Sequence, residues 1–273
     1  MPFFICTTCG IQYPDRPVPP DDCVICTEER QYVGWKGQQW ITLEDLRVDH
    51  RNRFEVEGEG LVGIGTEPAF AIGQRALHLR TATGGVLWDC ISLVDEASVA
   101  AIGALGRVTA IAISHPHFYS SMVEWSRALG DVPVYINARD REWVMRDDGV
   151  LRYWDGPTLE IAPGVTLVHC GGHFSGSTVL HWADGAGGDG ALLTGDTIMV
   201  GQDRRTVSFM YSYPNLIPLD ADAVRSIAEA VEPFAFEQIY GGWFGKNVLE
   251  HGKHAVRYSA LRYLHAIGER APR

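Results

Sequence analysis

The chain has 273 residues, 46% of them hydrophobic and 21% charged, with 23 Lys and Arg against 34 Asp and Glu for a net charge of −11. That composition excludes a largely disordered chain, and the acidic balance argues against bulk binding to nucleic acid or to an anionic membrane. No apolar run approaches the roughly 18 residues of a membrane span, and the opening Met1-Pro-Phe-Phe lacks the basic stretch of a secretory signal, so a cytoplasmic protein acting on a small molecule is expected.

Four of the six cysteines come first in the chain, as Cys6-Thr-Thr-Cys9 and Cys23-Val-Ile-Cys26. Two CxxC pairs joined by a short proline-rich loop are a common way to offer four thiolates to one tetrahedral ion. Zinc in a structural role is the expectation, with iron and electron transfer as the alternative for the same ligands. A pair of disulfides is disfavoured in a reducing compartment. Residues 1–45 are therefore read as a zinc-ribbon or rubredoxin-like knuckle ending in a short helix capped at Thr42, with Tyr32, Trp35 and Trp40 packing it on the main domain, residues 46–273.

Beyond it, the charged residues 48–60 read as a connector. Strands are predicted at 61–65, 68–73, 75–80 and 85–90, with a hairpin turn at Gly84-Gly85 after Thr81-Ala-Thr, then a helix over 95–105 and a buried strand over 109–114 that runs into His115. A helix over 119–129, a strand over 132–136 and a short helix over 139–146 follow. Strands come at 158–161, 165–169, 177–182 and 190–194, then a helix at 221–231, a strand at 238–240 and a terminal helix at 247–267. Cys90 and Cys170, flanked by apolar residues, read as buried free thiols. His169, His181, His251 and His254 read as strand or surface histidines rather than ligands.

Three strand ends carry metal-ligand chemistry. His115-Pro-His117 follows a buried strand, and two imidazoles at i and i+2 can face one ion across a tight loop. Cys170-Gly-Gly-His173-Phe-Ser-Gly-Ser177 exposes a third imidazole on a glycine turn, and Leu192-Leu-Thr-Gly195-Asp196-Thr197 ends a strand in a carboxylate.

In this order, after a strand ending in Asp89, the motifs resemble the metallo-β-lactamase fold superfamily over about residues 61–250. The resemblance implies an α/β fold, an αββα sandwich with a metal site at one edge between two sheets, and chemistry ranging from hydrolysis of lactams, thioesters, lactones and phosphodiesters to iron-dependent oxidation. The family motif HxHxDH reads here His115-Pro-His117-Phe-Tyr119-Ser120. Tyr119 thus stands at the aspartate and Ser120 at the histidine of the second metal, and Trp243 stands at the late histidine. The first-metal set, His115, His117 and His173 with Asp196, is complete, so a mononuclear Zn2+, Fe2+ or Mn2+ site is expected.

The expected activity is a hydrolase attacking a small ester, thioester, lactone or phosphoester, with Asp196 and Tyr119 as catalytic residues. Tyr119 is a poor base near neutral pH but can donate to a developing oxyanion. Tyr211, Tyr213 and Trp243 are candidate substrate contacts. The alternatives are a binding or scaffold protein that has lost catalysis and a mononuclear iron oxidoreductase.

Overall fold

The computed structural model describes residues 1–269, which fall into two compact units, Met1–Trp154 and the chain from Asp155 onward. The first unit opens with a three-stranded sheet of β1 (Phe3–Cys6), β2 (Gln12–Asp15) and β3 (Trp40–Thr42), in the order β2-β1-β3. Thr42 then caps α1 (Leu43–Asp49), its hydroxyl accepting the Asp45 N–H at 3.2 Å.

The larger sheet of this unit contains β4 (Arg51–Gly58), β5 (Leu61–Glu67), β6 (Arg75–Thr81), β7 (Gly84–Trp88), β8 (Val108–Ala112), β9 (Val134–Asn137) and β10 (Leu151–Trp154). It runs β10-β9-β8-β7-β6-β5-β4, antiparallel from β4 to β7 and parallel from β7 to β10. Helices α2 (Glu96–Leu105) and α3 (Met122–Ala128) make the parallel crossovers. The apolar runs Val86-Leu-Trp88 and Ala110-Ile-Ala112 are buried along their whole length, as central parallel strands require.

The second unit carries β11 (Thr158–Ala162), β12 (Val165–His169), β13 (Thr178–Trp182) and β14 (Ala191–Gly195), then the short hairpins β15 (Met199–Val200) with β16 (Val207–Ser208) and β17 (Met210–Ser212) with β18 (Ile217–Pro218). Helix α4 (Ala221–Val231), β19 (Gln238–Gly241), β20 (Asn247–Val248) and α5 (Gly252–Ala266) complete it. Its sheet order is β11-β12-β13-β14-β19-β20. The inward face of α4, Val224, Ile227 and Val231, packs with Val168, Leu192 and Ile239 of the sheet. Among the described residues no helix is long and apolar enough to cross a membrane.

Several predicted elements are displaced. The supposed connector at 48–60 contains β4, an edge strand whose charged and exposed residues hide the alternation of a half-buried strand. The apolar stretch at 68–73 is a turn, with Ala71 and Gly73 both left-handed. The helix expected from 119 begins at Met122, because residues 116–118 form a 3-10 turn and Ser120 is left-handed at φ 43°. Residues 139–146 hold only the 3-10 turn Ala138–Trp143. The terminal helix starts at Gly252 rather than 247, since Asn247 and Val248 pair with β19. Trp35 is fully exposed and Tyr32 about half exposed, so neither packs the knuckle. Trp40 packs within the knuckle, its ring centroid 5.0 Å from that of Tyr13.

His78 is a residue of β6, inside the sheet of the first unit, and is 1% exposed. Burial pulls its pKa down to about 4, against about 6.5 in an unfolded chain. Below pH 6.5 the unfolded chain takes up a proton that the folded one refuses, so stability is full above 6.5 and is lost progressively down to about pH 4. Between pH 7.5 and 5.5 this histidine is expected to withdraw about 1 kcal/mol. Urea denaturation at both values with metal in excess measures it; a His78→Leu variant with an undiminished pH dependence would disprove the assignment.

Candidate metal centres

The first centre is built by two turns. The Cys6 N–H donates to the Ile11 carbonyl at 3.0 Å and the Gly10 N–H to the Cys6 carbonyl at 2.9 Å, closing a ring around Cys9. Gly10 is left-handed at φ 84°, and a Cβ there would sit 2.6 Å from the Ser92 hydroxyl, so glycine is required twice over. The second turn is closed by the Thr27 N–H on the Cys23 carbonyl at 3.0 Å. All four sulfurs are buried. Cys6 and Cys26 sulfurs lie 3.5 Å apart and those of Cys9 and Cys23 3.6 Å. A disulfide would need about 2.05 Å; sulfurs at the corners of a zinc tetrahedron stand about 3.8 Å apart. The Gln38 amide donates to the Cys6 sulfur at 3.2 Å.

The histidine pair belongs to the first unit. Strand β8 delivers the chain to Ser114, whose N–H donates to Asp89 Oδ1 at 2.8 Å. Asp89 follows β7 in the left-handed region at φ 62° and is 1% exposed, so the ends of two adjacent strands are tied by one buried carboxylate. His115 caps the 3-10 turn Pro116–Phe118 and accepts the Phe118 N–H on its carbonyl at 3.0 Å. The tight turn brings the rings of His115 and His117 to 5.2 Å, centroid to centroid, both buried.

The other two ligands belong to the second unit. Gly171 and Gly172 are both left-handed, and a Cβ on Gly172 would meet Ile227 Cδ1 at 2.8 Å. The turn closes through Cys170 and Gly171 N–H groups on the Ser177 carbonyl. His173 Nδ1 donates to the Met210 carbonyl at 3.0 Å, which in the neutral ring leaves Nε2 as the lone-pair nitrogen. Nε2 lies 3.7 Å from Asp196 Oδ1. Asp196 leaves β14 through Gly195, at φ 56°, and its own carbonyl accepts the Tyr213 hydroxyl at 3.0 Å.

The described residues thus hold two sets whose ligand atoms lie within 4.8 Å of one another: Cys6, Cys9, Cys23 and Cys26, and His115, His117, His173 and Asp196, all buried. The first donor set, four soft thiolates, fits Zn2+ or iron; the second, three imidazoles and one carboxylate, fits Zn2+ or Fe2+ and leaves open positions.

Of the remaining predicted site residues, Tyr119 is 1% exposed and donates its hydroxyl to the Asp140 carbonyl at 3.2 Å. Burial, with the Asp140 carboxylate next in importance, pushes its pKa well above 10. Tyr211 and Trp243 are half-buried, and Tyr213 spends its hydroxyl on the Asp196 and Ser208 carbonyls. Cys90 and Cys170 are buried thiols as expected. His169 and His181 donate to the Ser175 and Ala235 carbonyls, and His251 and His254 are exposed. Sequence reasoning missed Asp140, a carboxylate only 1% exposed in the 3-10 turn after β9. Its one signal is an acid shortly after the apolar strand Val134–Asn137.

No family model matches the chain. Its structure is similar to that of VMB-1, with a TM-score of 0.61 and 13% identity over 80% of this chain and 99% of that one. It is also similar to the metallo-β-lactamase FIM-1 of Pseudomonas aeruginosa in its mono-zinc form, with a TM-score of 0.56 and 14% identity over 79% and 96%. At such identities the likeness establishes the fold: the protein has the αβ sandwich of the metallo-β-lactamase-like fold, preceded by a four-cysteine cluster and carrying one set of three histidines and an aspartate. The uncharacterized protein YmaE of Bacillus subtilis strain 168 is 48% identical over 269 residues, 98% of this chain and 97% of that one. The chain belongs to the same family as YmaE.

Proposed function

We propose that the chain is a one-metal hydrolase in which His115, His117, His173 and Asp196 hold a single Zn2+ or Fe2+ against a small ester, thioester, lactone or phosphoester. The observation that carries this is the donor set: three buried imidazoles and a buried carboxylate with mutually close ligand atoms. Bound there, a divalent ion supplies Lewis acidity toward a carbonyl or phosphoryl oxygen and toward water. The protein's part is orientation. Met210 fixes the His173 tautomer, Asp89 fixes the chain entering His115, and Tyr213 holds the backbone at Asp196. Tyr119 contributes as a neutral donor, and reaching an oxyanion requires its hydroxyl to leave the Asp140 carbonyl. Tyr211 and Trp243 flank the substrate in this reading.

The experiment is metal analysis paired with an ester, thioester and lactone screen. Wild-type protein is expected to hold about two metal ions per chain and to hydrolyse at least one substrate class. His115→Ala and His173→Ala are expected to keep the cysteine-bound ion, lose the other and fall at least about 100-fold in rate, since Lewis-acid stabilisation is worth several kcal/mol. A wild type with only the cysteine-bound ion would overturn the proposal. Tyr119, held to Asp140, also suits the scaffold reading, and that same result would favour it.

A further inference from the structure

We infer that the cysteine knuckle clamps the turn that presents His115 and His117, so that metal in the knuckle sets how tightly the histidine pair holds its own ion. The inference rests on the one-metal reading above for the identity of the second ion, but the clamp itself is a matter of contacts within the first unit.

Ser120 is held in a left-handed conformation, φ 43°, and is 3% exposed. A non-glycine residue keeps such a conformation only where its surroundings over-determine it. Two contacts do so. Its carbonyl accepts the Gln12 N–H at 3.1 Å, and its hydroxyl accepts the Gln74 amide at 3.1 Å.

Gln12 is the first residue of β2 and leaves the Cys6–Gly10 turn directly. Its side-chain oxygen accepts from Arg146 at 2.5 Å, and the same guanidinium pairs with Glu124 of α3 and lies 3.8 Å over the Phe3 ring of β1. On the other side of the turn the Gly10 carbonyl accepts the Ser92 hydroxyl at 2.8 Å. The cavity left among Ile11, Gln12, Tyr119, Ser120 and Met122 is about 10 Å³, room for at most one water. The position of the Gln12 N–H is fixed by the ring of hydrogen bonds around Cys9, and that ring is stable when four thiolates share an ion. Emptying the knuckle releases Gln12, Ser120 relaxes, and His117, three residues earlier, loses its aim.

The test uses the full-length protein loaded with metal. One variant, Arg146→Met with Gln74→Leu, loosens the docking and keeps every cysteine; a second, Cys9→Ser with Cys26→Ser, empties the knuckle. Hydrogen exchange is read at the Phe118, Tyr119 and Met122 amides, all bonded within the turn. Co2+ is then titrated, because thiolate charge-transfer bands and nitrogen/oxygen-ligated d–d bands report the two sites separately. The docking variant is expected to keep the thiolate bands while exchange in the turn rises at least about tenfold and the d–d site weakens at least about tenfold, about 1.4 kcal/mol. Unchanged exchange and unchanged cobalt affinity in a folded docking variant would overturn the clamp. A wild type without the d–d site would count against the one-metal reading alone, and exchange would still decide the clamp.

Discussion

Replacing Cys9 and Cys26 by serine is expected to leave the purified protein one metal ion short per chain and to unfold the knuckle. Binding energy at a thiolate site is folding energy, on the order of 10 kcal/mol for a structural zinc. The knuckle has little else to stand on. Its strands are three or four residues long, and its apolar interior consists of Ile5, Ile11, Tyr13, Ile25 and the cysteines themselves. The cysteines are free, their nearest sulfur pairs 3.5 and 3.6 Å apart, so no disulfide holds the knuckle in place of an ion. Metal analysis and limited proteolysis measure the effect, with cleavage expected between residues 10 and 40 in the variant. A variant that kept both its metal content and its protease resistance would show that the cysteines are not ligands.

The second large effect is expected at Glu57. Arg75 of β6 is wholly buried, and its guanidinium meets the Glu57 carboxylate of β4 at 2.5 Å, reaching past the intervening strand β5. Removing one partner of a buried ion pair costs about 3–5 kcal/mol, because the remaining charge stays in a poorly polarisable interior. Glu57→Ala should therefore lower stability by that amount, whereas Glu57→Gln, which keeps an acceptor, should cost less. A double Glu57→Leu, Arg75→Met variant should recover most of the loss, because neither charge is then buried. Equal midpoints for the single alanine variant and wild type in guanidinium would refute the account.

The ligands were legible in the sequence because each sits where a buried apolar run stops. His115 follows Thr109-Ala-Ile-Ala-Ile-Ser114, His173 follows two glycines and Asp196 follows one, and each signal lies within a few residues. The sandwich architecture was an implication of the family resemblance that these motifs carry in their order, which no single period could give. What stayed hidden depends on distant contacts. Strand β4 has the composition of a surface loop because it is the sheet edge. Ser120 looked like part of the first turn of a helix, and only its bonds to Gln12 and Gln74 keep it out of one. Asp140 looked like any acid in a short helix until its burial beside Tyr119 was seen. Trp35 shows the converse error, a large aromatic assigned to packing that stands fully in solvent.

The two metal sets also differ in when they can exist. All four cysteines have left the ribosome soon after residue 26 is made, whereas the last histidine-site ligand, Asp196, is translated about 170 residues later, roughly 10–30 s at ordinary synthesis rates. The thiolates, the stronger ligands for soft and borderline ions, can thus capture their ion while the nascent chain still lacks every imidazole of the second set. The order of the chain thus offers the thiolates to an ion before any imidazole of the second set can compete for it.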